Sequence, residues 1–399
     1  MPATDRAAAP AHQSRRFLWL YAMAAAGGAV AYVPFLTVLL PERISDFAGE
    51  QRVTVLAYAA FAGAIAASLA NIGFGWLSDR IGTRRPLIAG GLALSCALLV
   101  AMRMADDLPS LVILLVAWQF ALNMMLGPLA AWAGDCVPDA QKGLLGGLLA
   151  FAPALGALSG ALVTLPGLAH ADTRLGVVAA LVAAMVLPVL MFGKPRAMPQ
   201  LMASEEPAQS PPNPRPRGTL ARMWLARLLV QIAEAALFAF LLYWFRSIDP
   251  SVTDNDTAAV FSVVLCISVP LALASGRWSD RTDRPILPLT LGAGVGALGL
   301  LAMALADDLA TGIAGYILFG LATSVFLSLH SSQTLRVLPQ PATRGRDLGL
   351  FNLTNTVPSL IMPWLTLALV PLFGFGALFL VLAALSATAC LLLVSVRRL

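Results

Sequence analysis

The chain has 399 residues, 59% of them apolar and only 12% charged, with a formal net charge of +5 and a mean hydropathy of +0.80. That charge density is about half that of a soluble globular domain, and a single buried core does not account for so much apolar sequence. Four cysteines and three histidines, scattered and without ligand spacing, argue against a disulfide framework, a metal cluster or a redox centre, so no cofactor and no metal is expected.

Six uncharged runs come first, at roughly 17–41, 53–78, 86–102, 108–134, 143–169 and 175–193. Each is long enough to cross a hydrocarbon layer of ~30 Å as a helix. The first is introduced by RRFLWLYAM, but its apolar run far exceeds a signal-peptide core, so it is expected to be retained. Residues 194–220 are rich in Pro and Ser and poor in apolar side chains, which predicts a flexible linker. Further runs follow at about 223–245, 257–276, 285–306 and 309–335, and 348–396 carries no charge at all. That last stretch is too long for one span, and VPLFGFG at 370–376 supplies the Pro and Gly needed to fold it in two. The expectation is an all-α integral membrane protein of twelve transmembrane helices, with a six-helix half at 1–193, a linker at 194–220 and a second six-helix half at 221–399.

Cytoplasmic loops retain Lys and Arg. With both termini placed inside, 20 of the 26 basic residues fall on that face, from Arg6, Arg15 and Arg16 to Arg397 and Arg398. The positive charge is then a topology signal, with no indication of nucleic acid as a partner; the partner is the lipid bilayer. The halves also match at an offset of 201: Gly75, Ser78, Asp79 and Arg80 return as Gly276, Ser279, Asp280 and Arg281, ADDL at 105–108 returns at 306–309, and Pro138 returns as Pro339. Matches in register over such a length indicate an internal duplication, and an even number of spans per half makes the repeats parallel.

The two repeated phrases, GWLSDRIGTRRPL at 75–87 and GRWSDRTDRPIL at 276–287, fall between the second and third helices of each half. The carboxylate ends one helix, the glycine permits a tight turn, and the arginines stay on the positive face. Here the chain resembles the major facilitator superfamily, whose signature in this loop is Gly, any, Leu, Ala, Asp, Arg, any, Gly, Arg, Lys and, after two further residues, Leu. Gly75, Leu77, Asp79, Arg80, Gly82, Arg84 and Leu87 match, and Thr83 replaces the first of the paired basic residues. The second copy keeps Gly276, Asp280, Arg281 and Arg284 but has Asp283 in place of the glycine, in a shorter loop.

The resemblance implies that these residues form a latch between two six-helix bundles. Asp79 is expected to cap the eleventh helix near Asp347 and Leu348, where the helix dipole favours a carboxylate, and Arg80 to pair with Asp135 in AGDCVP at the end of the fourth. The alternative is that the phrase merely fixes topology. Lys142, Arg344 and Arg346, in matched segments that open the fifth helix of each half, are read as topology anchors.

The resemblance also places the first, fourth, seventh and tenth helices around a central cavity. On the seventh, MWLARLLVQIAEAALFAFLLYW puts Arg227, Gln231 and Glu234 on one helical face. Glu234 lies twelve residues from Arg222, about 18 Å along a helix and close to mid-membrane. Ionising a carboxyl there is costly, which suits reversible protonation as access alternates. Glu234 is therefore the expected coupling or substrate-binding group; the alternative is a structural carboxylate paired with Arg227. Arg227 itself reads as a snorkelling anchor or as an anion ligand. On the tenth helix His330 is either a proton carrier or a helix contact. Gln119 and Asn123 share a face of the fourth helix, and Asn352 and Asn355 share one of the eleventh; they are solute contacts or interhelical glue. Two features of the superfamily's exporters are incomplete. The fourth helix lacks their arginine, and GLLAFAPALGALSG keeps Pro153, Gly156 and Gly160 but has Ala152 and Ala157 at glycine positions.

No phosphate-binding loop or paired nucleophile and base is recognisable, so neither an enzyme nor ATP-driven transport is expected. The sequence thus predicts a secondary active transporter of the bacterial inner membrane, a monomer that moves a small organic solute by alternating access. Proton-coupled uptake of a sugar or an organic acid is the favoured form. The alternatives are efflux of amphipathic compounds, and a non-transporting sensor or assembly factor that would have no need of an intramembrane carboxyl.

Overall fold

The computed structural model describes residues 12–48, 52–165, 171–202, 217–252, 254–338 and 341–396. Arg6, Pro339, Arg397, Arg398 and the middle of the linker lie outside the described residues. The apolar runs fold as helices because a helix satisfies every backbone group within its own segment, which lipid does not do.

Helix α1 (Arg15–Pro34) continues through a π turn at Phe35–Leu39 into Leu40–Ala48; Pro34, lacking an N–H, marks the irregularity. Helices α2 (Arg52–Ile81), α3 (Arg85–Ala101), α4 (Leu108–Cys136), α5 (Lys142–Leu149 with Phe151–Val163) and α6 (Ala171–Phe192) complete the first half. The second half holds α7 (Arg217–Ile248), α8 (Asp254–Thr282), α9 (Leu287–Ala304), α10 (Leu309–Val337) and a continuous helical stretch Arg344–Val394 of 51 residues. Gly374, at φ 73° and ψ 179°, breaks that stretch inside VPLFGFG. The break separates α11 (344–373) from α12 (375–394). Eleven stretches of the described residues are long and apolar enough to cross a membrane, and the break at Gly374 brings the crossings to twelve.

The duplication is visible at the helix starts. Ser110 N donates to Asp107 and Thr311 N to Asp308, each at 2.9 Å, so both copies of ADDL are N-caps, of α4 and α10. Side-chain and backbone hydrogen bonds from Ser110 hold the Asp107 carboxyl below its ordinary pKa, and bonds from Thr311 do the same for Asp308. The signature turns correspond too: Gly82 has φ 72° and Asp283, at the equivalent position, φ 48°. A left-handed conformation costs an L residue about 1 kcal/mol or more, and Asp pays less than most. Asp283→Gly is accordingly expected to raise the Tm of the purified protein. A fall would mean that the 3.7 Å contact from Arg336 to Asp283 outweighs the strain.

The linker needs correction at both ends. Helix α7 begins at Arg217, ahead of the expected boundary at 221. Residues 194–202 are docked on the first half and buried Met198 anchors them: Gln13 Nε2 donates to the Arg196 carbonyl at 3.1 Å, and Arg196 N donates back to Gln13 Oε1 at 2.8 Å.

The halves meet along two pseudo-equivalent seams, α2 against α11 and α5 against α8. In each seam glycine faces glycine. A Cβ on Gly75 would overlap the backbone of Gly345, and one on Gly276 would overlap that of Gly143. Small residues of this kind let helix backbones approach in lipid.

Candidate functional site

All the residues of the two signature phrases lie at the face that carries the basic loops. Asp79, at the end of α2, accepts hydrogen bonds from Gly345 N at 2.9 Å and Arg346 N at 3.0 Å. It therefore caps the first turn of α11, two residues ahead of the expected Asp347 and Leu348. Asp347 itself is bonded by Thr343 and Arg346.

The expected partner of Asp135 is corrected. Arg80 follows Asp79 on the same helix and points about 100° away from it, with its guanidinium 4.9 Å from the Trp76 ring centre. After the left-handed turn at Gly82 the chain doubles back, and Arg84 takes the inner position. Its Nη1 lies 2.6 Å from Asp79 and its Nε 2.9 Å from Asp135; Nη1 also donates to Ser78 Oγ at 2.5 Å. Burial opposes the Arg84 charge, but hydrogen bonds and charge from Asp135 and then Asp79 outweigh it and raise the pKa above the ordinary value. Across the seam Arg344 Nη1 reaches Asp135 at 2.6 Å. Arg84 is thus the hub joining two carboxylates, each of which grips α11.

The second copy works with different parts. Asp280 accepts from Gly143 N at 2.8 Å and Leu144 N at 2.7 Å, capping α5 as Asp79 caps α11. Arg336, not Arg284, is its cationic neighbour, at 3.4 Å; Arg281 and Arg284 are exposed. Lys142 is buried and donates to Asp139 at 2.6 Å and, across the seam, to the Leu335 carbonyl at 3.1 Å. Lys142 and Arg344, read from sequence as topology anchors, thus bind across the seam. The matched Lys-Gly and Arg-Gly pairs that open α5 and α11 were the signal for them.

A second polar group lies deeper. On α7, Arg227 turns inward and does not snorkel: Nε donates to Thr354 Oγ1 at 3.1 Å, Nη1 to the Leu327 carbonyl at 3.2 Å and to Ser331 Oγ at 3.1 Å, and Nη2 to Asn355 Oδ1 at 3.3 Å. Gln231 Nε2 donates to the same Asn355 oxygen at 2.9 Å, and Asn355 Nδ2 to Asn352 Oδ1 at 2.7 Å. Every guanidinium nitrogen of Arg227 is therefore engaged by its own half.

Glu234 is different. It is exposed although it stands in the middle of α7, and among the described residues it makes no hydrogen bond or ion pair. It is within electrostatic range of Arg227, of Tyr316 on α10 and of Tyr32 on α1. Tyr32 is 41% exposed and belongs to the other half, so exposed positions of α1 and α7, one from each half, come within electrostatic range of one another, and the space they border is a cleft between the halves. Phe238, one turn beyond Glu234 on the same face and 69% exposed, extends that wall. The seam between α2 and α11 is closed from Asp79 as far as a 3.0 Å contact between Ser68 and Thr356.

Three predicted residues do not reach the cleft. His330 is fully buried, with its ring nitrogens 3.1 Å from the Met223 carbonyl and from Thr334 Oγ1, between α7 and α10. Asn123 accepts from Asn71 of α2 at 3.0 Å and donates to the Gln119 carbonyl at 2.9 Å, and Gln119 is buried beside it. The His330 and Asn123 side chains tie helices together within one half.

The family model described as Major Facilitator Superfamily matches residues 18–306 and 223–398. An uncharacterized MFS-type transporter of Mycobacterium tuberculosis is 28% identical over 315 residues, covering 75% of this chain; the chain spans 66% of that relative's length. Among solved structures, the human organic anion transporter MFSD10 superposes with a TM-score of 0.76 at 14% identity over 95% of this chain and 99% of that one. The E. coli fucose:proton symporter FucP gives 0.75 at 15% identity over 96% and 98%. A bacterial homologue of ferroportin in its outward-facing state gives 0.72 at 14% identity over 96% and 98%. The repeated signature, the paired six-helix halves and the family match over nearly the whole chain together place this protein in the major facilitator superfamily.

Proposed function

We propose that the chain is a secondary active transporter, held here in its outward-open state, which takes up a small polar solute together with protons. The observation that carries this reading is Glu234, a carboxyl without a hydrogen-bond partner, facing a cleft beside a pre-bonded set of amide and hydroxyl groups. A cation so close by is normally spent on its carboxylate. Here Arg227 is occupied by Thr354, Ser331, Leu327 and Asn355, so Glu234 is left for a proton or a solute. The same bonding bears on the solute. With four of the five N–H donors of Arg227 committed to neutral acceptors, an organic acid has a poorer partner there, and a hydroxyl-rich neutral solute of the sugar type fits better.

The positive-inside bias supports reading the basic face as cytoplasmic, with both termini on the cytoplasmic side of a bacterial inner membrane and the cleft open to the outside. Rocking of the halves about the cleft would release the capping bonds of Asp79 and Asp280 and expose Glu234 inward. The protein acts as a monomer in this scheme, since each half supplies one wall. Phe238 and Tyr32 favour a second reading, efflux of an amphipathic compound, and transport in sealed vesicles of both orientations separates the two.

The test is a ligand-dependent thermal-stability screen over sugars, organic acids, amino acids and amphipathic drugs, with wild type and Glu234→Gln at two pH values. A sugar-type compound is expected to stabilise wild type in a pH-dependent way, and Glu234→Gln is expected to remove that dependence. Equal stabilisation of both proteins at both pH values would make Glu234 a structural residue.

A further inference from the structure

A second cavity, of about 450 Å3, lies on the basic face at the seam between the halves. His12, Arg15 and Gln141 of the first half line it, together with Arg277, Asp280 and Arg281 of the second. Among the described residues that line it, Asp280 is the one carboxylate, and it is already used by the Gly143 and Leu144 amides and by Arg336. Arg15, Arg277 and Arg281 are exposed, and among the described residues none of them makes a hydrogen bond or ion pair. Three arginines without an acceptor around one concavity repel one another at close range.

The helix ends sharpen this imbalance. Arg15 opens α1, whose first turn contains no acidic residue. That is the end of a helix where the dipole already favours an anion and disfavours a cation. The apolar span of α1 starts at Arg15 and that of α8 ends at Thr282, so the cavity sits where hydrocarbon gives way to headgroups. Basic pockets at that depth between helices suit phosphate headgroups.

The geometry points to an oxyanion site here, built for the phosphodiester of an anionic phospholipid, which bridges Arg15 of one half to Arg277 and Arg281 of the other. Bidentate guanidinium contacts hold a phosphate in a fixed orientation. A headgroup so held joins the halves beside the Asp280 cap, so it stabilises the arrangement in which the basic face is closed. Anionic lipid on that leaflet thereby acts as an effector of the conformational equilibrium, binding away from the Glu234 cleft.

Thermal unfolding of the detergent-purified full chain tests this with three additions: phosphatidylglycerol, phosphatidylcholine of the same acyl chains, and inorganic phosphate. Wild type is compared with Arg15→Gln/Arg277→Gln and with the charge-keeping Arg15→Lys/Arg277→Lys. Phosphatidylglycerol is expected to raise the wild-type Tm saturably and above the phosphatidylcholine value. The Gln variant should lose that difference and the Lys variant should keep part of it. Equal shifts from the two lipids in wild type, or an undiminished difference in the Gln variant, would overturn the site. A shift with inorganic phosphate that the Gln variant abolishes would keep the oxyanion site but overturn the lipid as its source. Should the Gln variant unfold on purification, the wild-type contrast between the lipids at low and high salt decides, because an ionic site loses that contrast as salt screens it.

Discussion

Arg84→Ala is expected to destabilise the closed basic face by about 3 kcal/mol, the cost typical of removing one partner from a buried charge network. Arg80→Ala is expected to cost less than about 1 kcal/mol, the worth of an exposed stacking contact. The asymmetry follows from what each arginine touches. Arg84 is 7% exposed and stands between Asp79 and Asp135, and both of those carboxylates reach across the seam, to the α11 amides and to Arg344. Without it the two carboxylates face each other across a space with no intervening cation. Among the described residues, the interaction Arg80 makes is with the Trp76 ring. Thermal unfolding of both variants, with accessibility of a basic-face cysteine as the conformational readout, separates them. Equal effects would mean that the signature acts through its total charge.

Gly75→Val is expected to drive the protein away from the closed arrangement. A side chain at Gly75 runs into the Gly345 backbone, and the symmetric contact at Gly276 runs into Gly143. Overpacking of this kind costs about 1–3 kcal/mol where the neighbour is backbone and cannot rotate aside. For a two-state transporter such a penalty, borne by one state only, changes the population ratio roughly 5–150-fold. A cysteine at Leu335, buried near the seam against Gly134, gives the readout in a background free of other cysteines. Its labelling from the basic face should rise in Gly75→Val and rise further in the double variant with Gly276→Val. Unchanged labelling would mean that α2 and α11 separate locally while the halves stay shut.

Both results depend on features the sequence displays unequally. The helices were legible because a 3.6-residue period and a minimum span length are local properties, and the break was legible as far as VPLFGFG at 370–376; that Gly374 takes it, at φ 73°, is visible only in the structure. The face shared by Arg227, Gln231 and Glu234 was legible for the same reason. Partners on other helices were not. Nothing in the order Asp79, Arg80, Arg84 says which arginine returns beneath the carboxylate; that depends on the left-handed turn at Gly82 and on where α4 brings Asp135. Arg227 looked like an anchor because its position along α7 is visible in sequence, whereas the acceptors on α10 and α11 are brought to it only by packing. His330, Gln119 and Asn123 are polar residues on helices that the family resemblance places around the cavity, and period alone does not tell whether such a residue faces the cavity or a neighbouring helix. Gly143 and Gly345 were in plain view in matched segments, but a glycine's importance in a seam appears only when the opposing glycine is known.

In the proposed mechanism Glu234 carries the proton. Solute movement in sealed proteoliposomes under an imposed pH gradient, for wild type and Glu234→Gln, tests it most directly. At one proton per solute, a gradient of one pH unit sustains about a tenfold accumulation of solute. Wild type is expected to approach that ratio, while Glu234→Gln exchanges solute across the membrane but accumulates none. Accumulation by Glu234→Gln equal to that of wild type would contradict the account and place the coupled proton on another residue.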